Sequence, residues 1–406
     1  MRRVVVTGVG IVSSIGSTVS EVLDSLRNGK SGLSFAPEMA EHGFKSQVHG
    51  RPQIDVNDLL GRKTRRFMGE GAAWNYIAMR DAIEDSGLRP EEVSHEMTGI
   101  VMGSGGPSTK TIVSAANTTL ETGSPRKIGP FAVPSAMSST NSATLAVPFE
   151  IKGLNYSISS ACATSVHCVG HAYEQVAMGK QDVVFAGGGE DLDWTLSNMF
   201  DAMGAMSSKF NDVPEMASRA YDAARDGFVI AGGAATLVVE ALDRALARGA
   251  KIWGEITGYA ANSDGVDMVM PSGEGASRCI AKAISTVKQR IGYINTHGTA
   301  TKIGDSREVG AIKDVFGDDI PPFGSTKSLT GHSLGAVGAQ ELIYGLIMMK
   351  NRFLAASAAI ETLDPEFEGL PILRERQDNV DLRAFLSNSF GFGGTNACLA
   401  IERFDG

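Results

Sequence analysis

The sequence has few features of a secreted or membrane protein. Its 406 residues include only four cysteines, with neither a CxxC pair nor the disulfide spacing of a small secreted domain, which indicates reduced thiols. The first ten residues lack the apolar segment of a signal peptide, and no apolar run approaches the roughly 18 residues of a membrane span. We therefore expect a cytoplasmic protein that spans no membrane.

Basic residues are in deficit as well. The chain has 37 Lys and Arg against 46 Asp and Glu, a formal net charge of −9. Binding a nucleic-acid backbone requires a basic surface, so this balance argues against a nucleic-acid partner. Hydrophobic residues at 43% and charged residues at 20% are typical of a globular chain that buries a substantial core.

Short β-rich segments alternate with helical periodicity along the chain. In the clearest unit, residues 154–186, alternating apolar residues predict a strand, spacings of three and four then predict a helix that ends at Gly179, and residues 182–186 predict the next strand. Residues 3–7 predict another buried strand, with a tight turn at Gly8. This alternation predicts an α/β fold with a mostly parallel, covered sheet.

A comparable order of elements begins again after the middle of the chain. Residues 252–264 resemble the opening strand, and later strand-turn-helix units surround His297 and His332. No linker rich in Pro or Ser separates the two parts, so they should pack tightly. We predict two similar α/β halves, residues 1–250 and 251–406.

Cys162 is the strongest candidate nucleophile. It lies in SSACATS between the predicted strand and helix, so its sulfur would sit at a helix N-terminus, where unpaired N–H groups and the helix dipole favour the thiolate. Small neighbours leave room for a substrate. Cys168, Cys279 and Cys398 fit the alternative role of small buried hydrophobes.

Two histidines stand in loops rich in glycine and hydroxyl side chains. His297 lies in NTHGTAT and His332 in KSLTGHSLG, each after a short β-rich run, so we expect both at one site at the strand ends. The second loop also matches the GxSxG motif of serine hydrolases, with Ser333 as nucleophile. The strand that must lead into such a serine is missing from the sequence pattern.

Basic residues are densest in two short runs. Arg62, Lys63 and Arg66 belong to the first, and Arg126 and Lys127 form the second. Each run is either a solvated face or a docking patch for an acidic partner, and the residues by themselves leave both interpretations open.

Four motifs in one order resemble those of a known family. SISSACATS around Cys162, NTHGTATKIGD around His297, STKSLTGHSLGA around His332 and SNSFGFGGTN at residues 387–396 closely resemble the β-ketoacyl-[acyl carrier protein] synthases, over essentially the whole chain. The resemblance is strongest to class I, with class II as the alternative. It implies a thiolase-like fold, two pseudo-repeated halves in five α-β-α-β-α layers, and a homodimer.

The resemblance also implies a decarboxylative condensation in two stages. The Cys162 thiolate would accept an acyl group from acyl carrier protein. Malonyl carrier protein would then lose CO2, with the enolate stabilised by His297 and His332, and its carbanion would attack the acyl-enzyme to extend the fatty acyl chain by two carbons. Because both substrates arrive on the carrier's phosphopantetheine arm, the family resemblance implies no separate cofactor, and we expect no metal.

Other positions match functional residues of the family one by one. Lys327 and Glu308 match supporting residues and are expected to form a charge pair. The backbone N–H groups of Cys162 and Phe392 match the oxyanion hole, and Phe392 also matches the gate to the acyl pocket.

Thr299 and Thr301 match positions that hydrogen-bond the pantetheine arm. Gly106 matches a residue that lines the acyl pocket, where class II synthases tend to carry a bulkier side chain. The basic residues of the two runs match or neighbour the positions that meet the acidic carrier protein, so docking should weaken with salt.

Two functions outside the condensing reaction remain as alternatives. One is a serine hydrolase that uses Ser333, and the other is a non-catalytic chain-length subunit. Thiolases, a related family, use a second reactive cysteine as a base, but Cys398 lies within a predicted strand and is a poor candidate for that role.

Overall fold

The structure, a computed structural model, describes residues 1–406. One large sheet and two small ones contain all of its strands. The strands are β1 (Val4–Val12), β2 (Leu33–Phe35), β3 (Val48–Gly50), β4 (Thr98–Gly103), β5 (Asn155–Tyr156), β6 (Val183–Glu190), β7 (Ile230–Ala231), β8 (Gly233–Ala241), β9 (Gly254–Ser263), β10 (Tyr293–Asn295), β11 (Phe323–Gly324), β12 (Phe353–Leu354), β13 (Gln377–Asp378), β14 (Ala384–Gly391) and β15 (Thr395–Glu402).

The α-helices vary from single turns to long helices that cover the sheet. They are α1 (Val19–Asn28), α2 (Pro37–Glu41), α3 (Val56–Leu59), α4 (Arg62–Arg65), α5 (Glu70–Ser86), α6 (Pro90–Val93), α7 (Thr109–Thr122), α8 (Ala132–Ala136), α9 (Thr140–Ala146), α10 (Thr164–Ala177), α11 (Trp194–Met203), α12 (Leu242–Ala247), α13 (Glu274–Ile284), α14 (Lys302–Phe316), α15 (Lys327–Thr330) and α16 (Val337–Asn351). No helix is both long enough and apolar enough to cross a lipid bilayer.

The large sheet repeats one strand order twice. It runs β11-β10-β14-β15-β9-β1-β8-β6-β4-β5, so the order β5-β4-β6-β8-β1 recurs as β11-β10-β14-β15-β9. Within each set the first two pairings are parallel and the last two antiparallel. The two sets meet only where β1 pairs with β9, at Val5–Glu255 and Val6–Gly254.

The expectation of a mostly parallel sheet is wrong. β8 in the first set and β15 in the second are each antiparallel to both of their neighbours. In the second set β15 follows β14 after only three residues, and so short a turn can join only antiparallel strands.

Helices separate the two sets of strands and cover their outer faces. α10 and α16 contact each other and strands of both sets, while α5 and α9 pack on the first set and α13, with α14 against it, packs on the second. The three main hydrophobic clusters occupy these three helical levels. The result is the five-layer α-β-α-β-α arrangement of the thiolase-like fold.

Side-chain periodicity explains why the central level is buried. On β15, Leu399 and Ile401 face the central cluster while Cys398 and Ala400 face the outer one, the period of two expected for a strand covered on both faces. Nearly every residue of α16 is buried, as expected for a helix that is apolar on all sides.

The predicted turn at Gly8 is also wrong, because β1 continues through Gly8 and Gly10 to Val12. A Cβ at Gly8 would stand 2.3 Å from the carbonyl oxygen of Ala82, and one at Gly10 would stand 1.9 Å from that of Ala78. The glycines therefore allow α5 to lie close against the strand rather than turning the chain.

Candidate active site

Cys162 and His332 occupy equivalent places in the two sets of elements. Cys162 lies between β5 and α10, and His332 lies between β11 and α16. Because α10 and α16 pack side by side in the central layer, the residues that precede them converge. Ala161 has a left-handed backbone with φ of 49°, a strained conformation for a residue with a side chain, and it places Cys162 at the tip of its turn.

The sequence-predicted catalytic residues meet at one cavity. Cys162, His297 and His332 all line a cavity of about 570 Å³. His332 Nε2 lies 3.0 Å from Cys162 Sγ, and the two histidine rings meet edge to face with centroids 5.3 Å apart. The ligating atoms of all three residues lie within 4.8 Å of one another.

Burial opposes the thiolate that the helix N-terminus was expected to favour at Cys162. Burial raises the pKa of the Cys162 thiol to about 12, and the nearby Glu190 carboxylate raises it further, although Lys327 opposes both. Shielding of the sulfur from water is thus the largest influence on this thiol. At neutral pH the resting group is a thiol beside His332.

Both site histidines are neutral. Burial, and the positive charge of Lys327, hold the pKa of His297 and the pKa of His332 well below the ordinary histidine value. Nδ1 of each ring is buried without a hydrogen-bond partner. A neutral imidazole with a hydrogen on Nε2 can donate to a developing negative oxygen without first losing a proton.

The chain fixes His332 through its backbone. Its N–H donates to the carbonyl of Val229 at 2.7 Å, and its own carbonyl accepts from Ala231 at 3.0 Å. The Phe228 ring packs edge to face against the imidazole, with centroids 5.4 Å apart. No sequence pattern indicates that residues 228–231 position this histidine.

Glu308 supports the His297 loop, as expected of a supporting residue, but it does so without Lys327. Its carboxylate accepts hydrogen bonds from the N–H groups of His297 and Gly298, both at 2.8 Å, and from the Asn388 side chain at 3.0 Å. These bonds hold the backbone on which the His297 ring is mounted.

The predicted pair between Lys327 and Glu308 is wrong. Lys327 Nζ instead binds Glu341 Oε1 on α16 at 2.5 Å, and both side chains are buried. α15 and α16 place these two groups against each other in the central layer, whereas the Glu308 oxygens are occupied by backbone N–H groups. Burial still raises the pKa of Glu341 to about 7.

We expect Lys327→Met to destabilise the protein by about 3–5 kcal/mol, because it leaves the buried Glu341 without its partner. A carboxyl whose pKa is raised in the folded protein binds more protons in the folded than in the unfolded state. The loss of stability should therefore grow as the pH rises from about 6 to 8. Urea unfolding of both proteins measures it. Arg290→Met, which breaks an exposed pair with Asp319, should cost under about 1 kcal/mol, and an equal loss in the two variants would contradict the prediction.

Cys162 and Phe392, whose backbone N–H groups are the predicted oxyanion hole, both line the cavity. Neither Cys162 nor Phe392 donates its N–H to another group of the protein. Phe392 lines the cavity with 39% of its surface exposed, at the turn between β14 and β15. Thr299 and Thr301 also line the cavity, with hydroxyl oxygens 3.2 Å apart.

Gly106 does not line this cavity. Its N–H donates to Glu190, and an added Cβ would meet no atom within 4 Å. Glu190, which the sequence analysis missed, also accepts from the N–H groups of Gly105 at 2.6 Å and Gly335 at 2.8 Å. In the sequence, a carboxylate at the end of an otherwise apolar strand was the signal that Glu190 would be buried and would accept hydrogen bonds from two turns.

The two basic runs are joined in space. The Arg66 guanidinium lies over the rings of Phe67 and Phe131, at 4.8 and 4.9 Å from their centroids, and Phe131 follows the second run. The five predicted docking residues, Arg62, Lys63, Arg66, Arg126 and Lys127, are exposed and none forms an ion pair, so their charges are available to a partner.

The structure provides no serine-hydrolase site at Ser333. Its hydroxyl is buried and donates to Gln340 Oε1 at 2.6 Å, and the helix α15, rather than a strand, precedes it. Cys398 is also buried within β15, in the outer cluster of the second set of strands, which does not include the nucleophile.

Cys162, His297 and His332 are residue types that also bind zinc. A tetrahedral site with Zn–S of about 2.3 Å and Zn–N of about 2.0 Å would hold sulfur and nitrogen roughly 3.5 Å apart. The 3.0 Å separation of Sγ and Nε2 is instead that of a hydrogen bond. The expectation of no metal here remains a prediction.

Two family models match the chain. "Beta-ketoacyl synthase, N-terminal domain" matches residues 1–245, and "Beta-ketoacyl synthase, C-terminal domain" matches residues 253–361.

Similar proteins include synthases of both classes. The 3-oxoacyl-[acyl-carrier-protein] synthase 1 of Haemophilus influenzae is 56% identical over 100% of both chains, and that of Escherichia coli K12 is 52% identical over 99% of both. The synthase 2 of Coxiella burnetii is 36% identical over 99% of both. Class I relatives are thus much closer in sequence than this class II relative.

Solved structures share the fold over the whole chain. A β-ketoacyl synthase from Burkholderia phymatum superposes with a TM-score of 0.93 at 34% identity and covers 100% of both chains. A type II polyketide ketosynthase, solved in complex with its acyl-carrier protein, superposes with a TM-score of 0.91 at 28% identity and 100% coverage of both.

Proposed function

The chain belongs to the β-ketoacyl synthase family and is a condensing acyltransferase, and we propose that it extends acyl groups by decarboxylative condensation with malonyl-[acyl carrier protein] in fatty acid synthesis. The observation that carries the mechanism is the 3.0 Å contact between Cys162 Sγ and His332 Nε2, with His297 beside it at the same cavity. The greater identity to synthases of class I favours that class over class II.

The first stage transfers the acyl group to Cys162. Sγ attacks the thioester carbonyl, the bond from that carbon to the pantetheine sulfur breaks, and the thiol proton ends on the departing sulfur. The N–H of His332 and the N-terminus of α10 stabilise the charge that develops on Sγ. The N–H groups of Cys162 and Phe392 would bind the negative oxygen of the tetrahedral intermediate.

The second stage forms the new carbon–carbon bond. The bond between the malonyl carbon and its carboxylate breaks, CO2 leaves, and the electron pair becomes an enolate whose oxygen accepts hydrogen bonds from His297 and His332. The enolate carbon attacks the acyl-Cys162 carbonyl, the bond from that carbon to Sγ breaks, and the departing thiolate takes a proton from solvent. Because the electron pair comes from the carboxylate bond, we assign no resident cofactor or metal.

Mass spectrometry of the intact protein and its peptides tests this function. After incubation with a medium-chain acyl carrier protein, the acyl mass should appear on Cys162. It should then disappear as malonyl carrier protein is added and a β-ketoacyl carrier longer by two carbons forms. An adduct on Ser333 would indicate the hydrolase, and no adduct would indicate the non-catalytic subunit.

We propose that the two joined basic runs dock the acidic carrier protein. Lys63→Glu should raise the KM for acyl carrier protein roughly tenfold, with kcat little changed, because it repels an acidic partner at the rim of an interface. Steady-state assays at low and high salt measure the effect, which salt should weaken. Lys282→Glu, an exposed change on α13, is the control, and an equal rise in both variants would refute specific docking.

We also propose that the protein is a homodimer. β5 is an edge strand whose two residues are exposed, and no residue of α7 is buried. Large apolar side chains remain exposed in the segments that follow α7, including Val133 at 74% and Val147 at 79%. A second copy would cover this edge and these side chains. Sedimentation velocity should give the dimer mass, and a monomer at micromolar concentration would refute the proposal.

A further inference from the structure

The entrance of the cavity carries positive charge that no ion pair uses. Lys302 and Arg307, both on α14, are exposed, line the cavity and form no salt bridge. The stem of Arg307 lies against Gly273, where an added Cβ would be 3.6 Å from Arg307 Cδ. These two cations are therefore free to bind an anion at the mouth of the site.

Lys209 is a third exposed cation on the lining without a salt bridge, and the other charged groups around the entrance already have partners. Arg225, the remaining arginine on the lining, binds Asp364 and Glu366, each at 2.6 Å. Asp364 is close enough for the Lys302 charge to act on it, but its carboxylate is held by Arg225 and it does not line the cavity. The carboxylates on the lining accept hydrogen bonds from backbone N–H or hydroxyl groups nearby in the same protein. They are Asp226, Asp264, Asp267 and Glu308.

Polar residues of the cavity lining become more exposed along the chain from His297. His297, Thr299 and Thr301 are half-buried, whereas Lys302 and Arg307 are exposed. A pantetheine arm that reaches Cys162 past the two threonines has a neutral inner part, with its single phosphate at the outer end. The free cations thus lie where that phosphate must be.

We propose that Lys302 and Arg307 bind the phosphate of the phosphopantetheine arm, an inference that rests on the function proposed above. Arginine and lysine are the side chains best suited to a phosphate, since both donate charge-assisted hydrogen bonds to its oxygens. The apolar side chains of Ile303 and Met270, which line the same entrance, reduce the access of water to these bonds. The phosphate contact fixes the depth to which the arm enters.

The first half-reaction tests this inference without a carrier protein. Octanoyl-4′-phosphopantetheine and octanoyl-pantetheine differ only in the phosphate, and the rate of Cys162 acylation by each is followed by mass spectrometry. We expect the native protein to favour the phosphorylated donor about tenfold at low salt, as two exposed charged contacts should give. The double variant Lys302→Met, Arg307→Met should lose that preference while reacting with octanoyl-pantetheine at the native rate.

Lys313→Met is the matched control, because Lys313 lies on the same helix, is exposed and does not line the cavity. It should keep the native preference for the phosphorylated donor. An unchanged preference in the double variant, or none in the native protein, would overturn the phosphate site while leaving the condensing function intact. Failure of the native protein to acylate Cys162 from either donor or from acyl carrier protein would overturn both.

Discussion

Cys162→Ala should abolish condensation but leave malonyl decarboxylation in place, and we expect this to be the largest effect of any substitution. Without the sulfur no acyl-enzyme can form, so condensation should fall by roughly 10⁴-fold or more. The enolate is stabilised by His297 and His332, which the substitution leaves in place. CO2 release from malonyl carrier protein and formation of the β-ketoacyl product, measured in the same sample, separate the two activities.

Cys279→Ala is the control for this substitution, since Cys279 is a buried cysteine that does not line the cavity. It should retain both activities. Loss of decarboxylation together with condensation in Cys162→Ala would show that the sulfur also takes part in the second stage, contrary to the division of roles proposed here.

His297→Asn gives the second large effect, and it should fall on decarboxylation alone. Removing one hydrogen-bond donor from a developing oxyanion typically costs about 100- to 1,000-fold in rate. Acylation of Cys162 should change little, because Sγ has its hydrogen bond from His332 and not from His297. Single-turnover acylation and CO2 release measure the two stages separately.

His332→Asn should slow both stages, since His332 contacts the sulfur and also lies beside His297. His95→Asn, a change at an exposed histidine outside the cavity, should slow neither. An equal loss of acylation in His297→Asn and His332→Asn would place His297 in the sulfur chemistry and contradict the separation of roles.

The pH dependence of decarboxylation follows from the same two residues. Because the pKa of His297 and the pKa of His332 are held well below the ordinary value, both rings stay neutral as the pH falls through about 6.5, where an exposed histidine would gain a proton. The donors therefore remain in one protonation state across the physiological range.

The sequence by itself determined which residues carry the chemistry. A cysteine between a strand and a helix, and two histidines in glycine-rich loops after strands, are local patterns, and each predicts where its side chain stands relative to its own element. Their motifs also identified the family. For these reasons Cys162, His297 and His332 were correctly placed at one site before any tertiary contact was known.

Other features depended on contacts that no local pattern contains. Gly8 is consistent with a turn in sequence, but the approach of α5 made it a packing position within β1. Lys327 had two buried acids within reach of its charge, and only the packing of α15 against α16 decided that Glu341 is its partner. A carboxylate in the middle of the largely apolar helix α16 was the signal of that pair.

The protonation state of Cys162 was likewise decided by the tertiary structure. The sequence specifies a sulfur at a helix N-terminus, which lowers a thiol pKa by a modest amount. The packing around this half-buried residue shields its sulfur from water, and this desolvation raises the thiol pKa. Local order determined the identity of the reacting groups, while the packing of distant segments determined their charge and their partners.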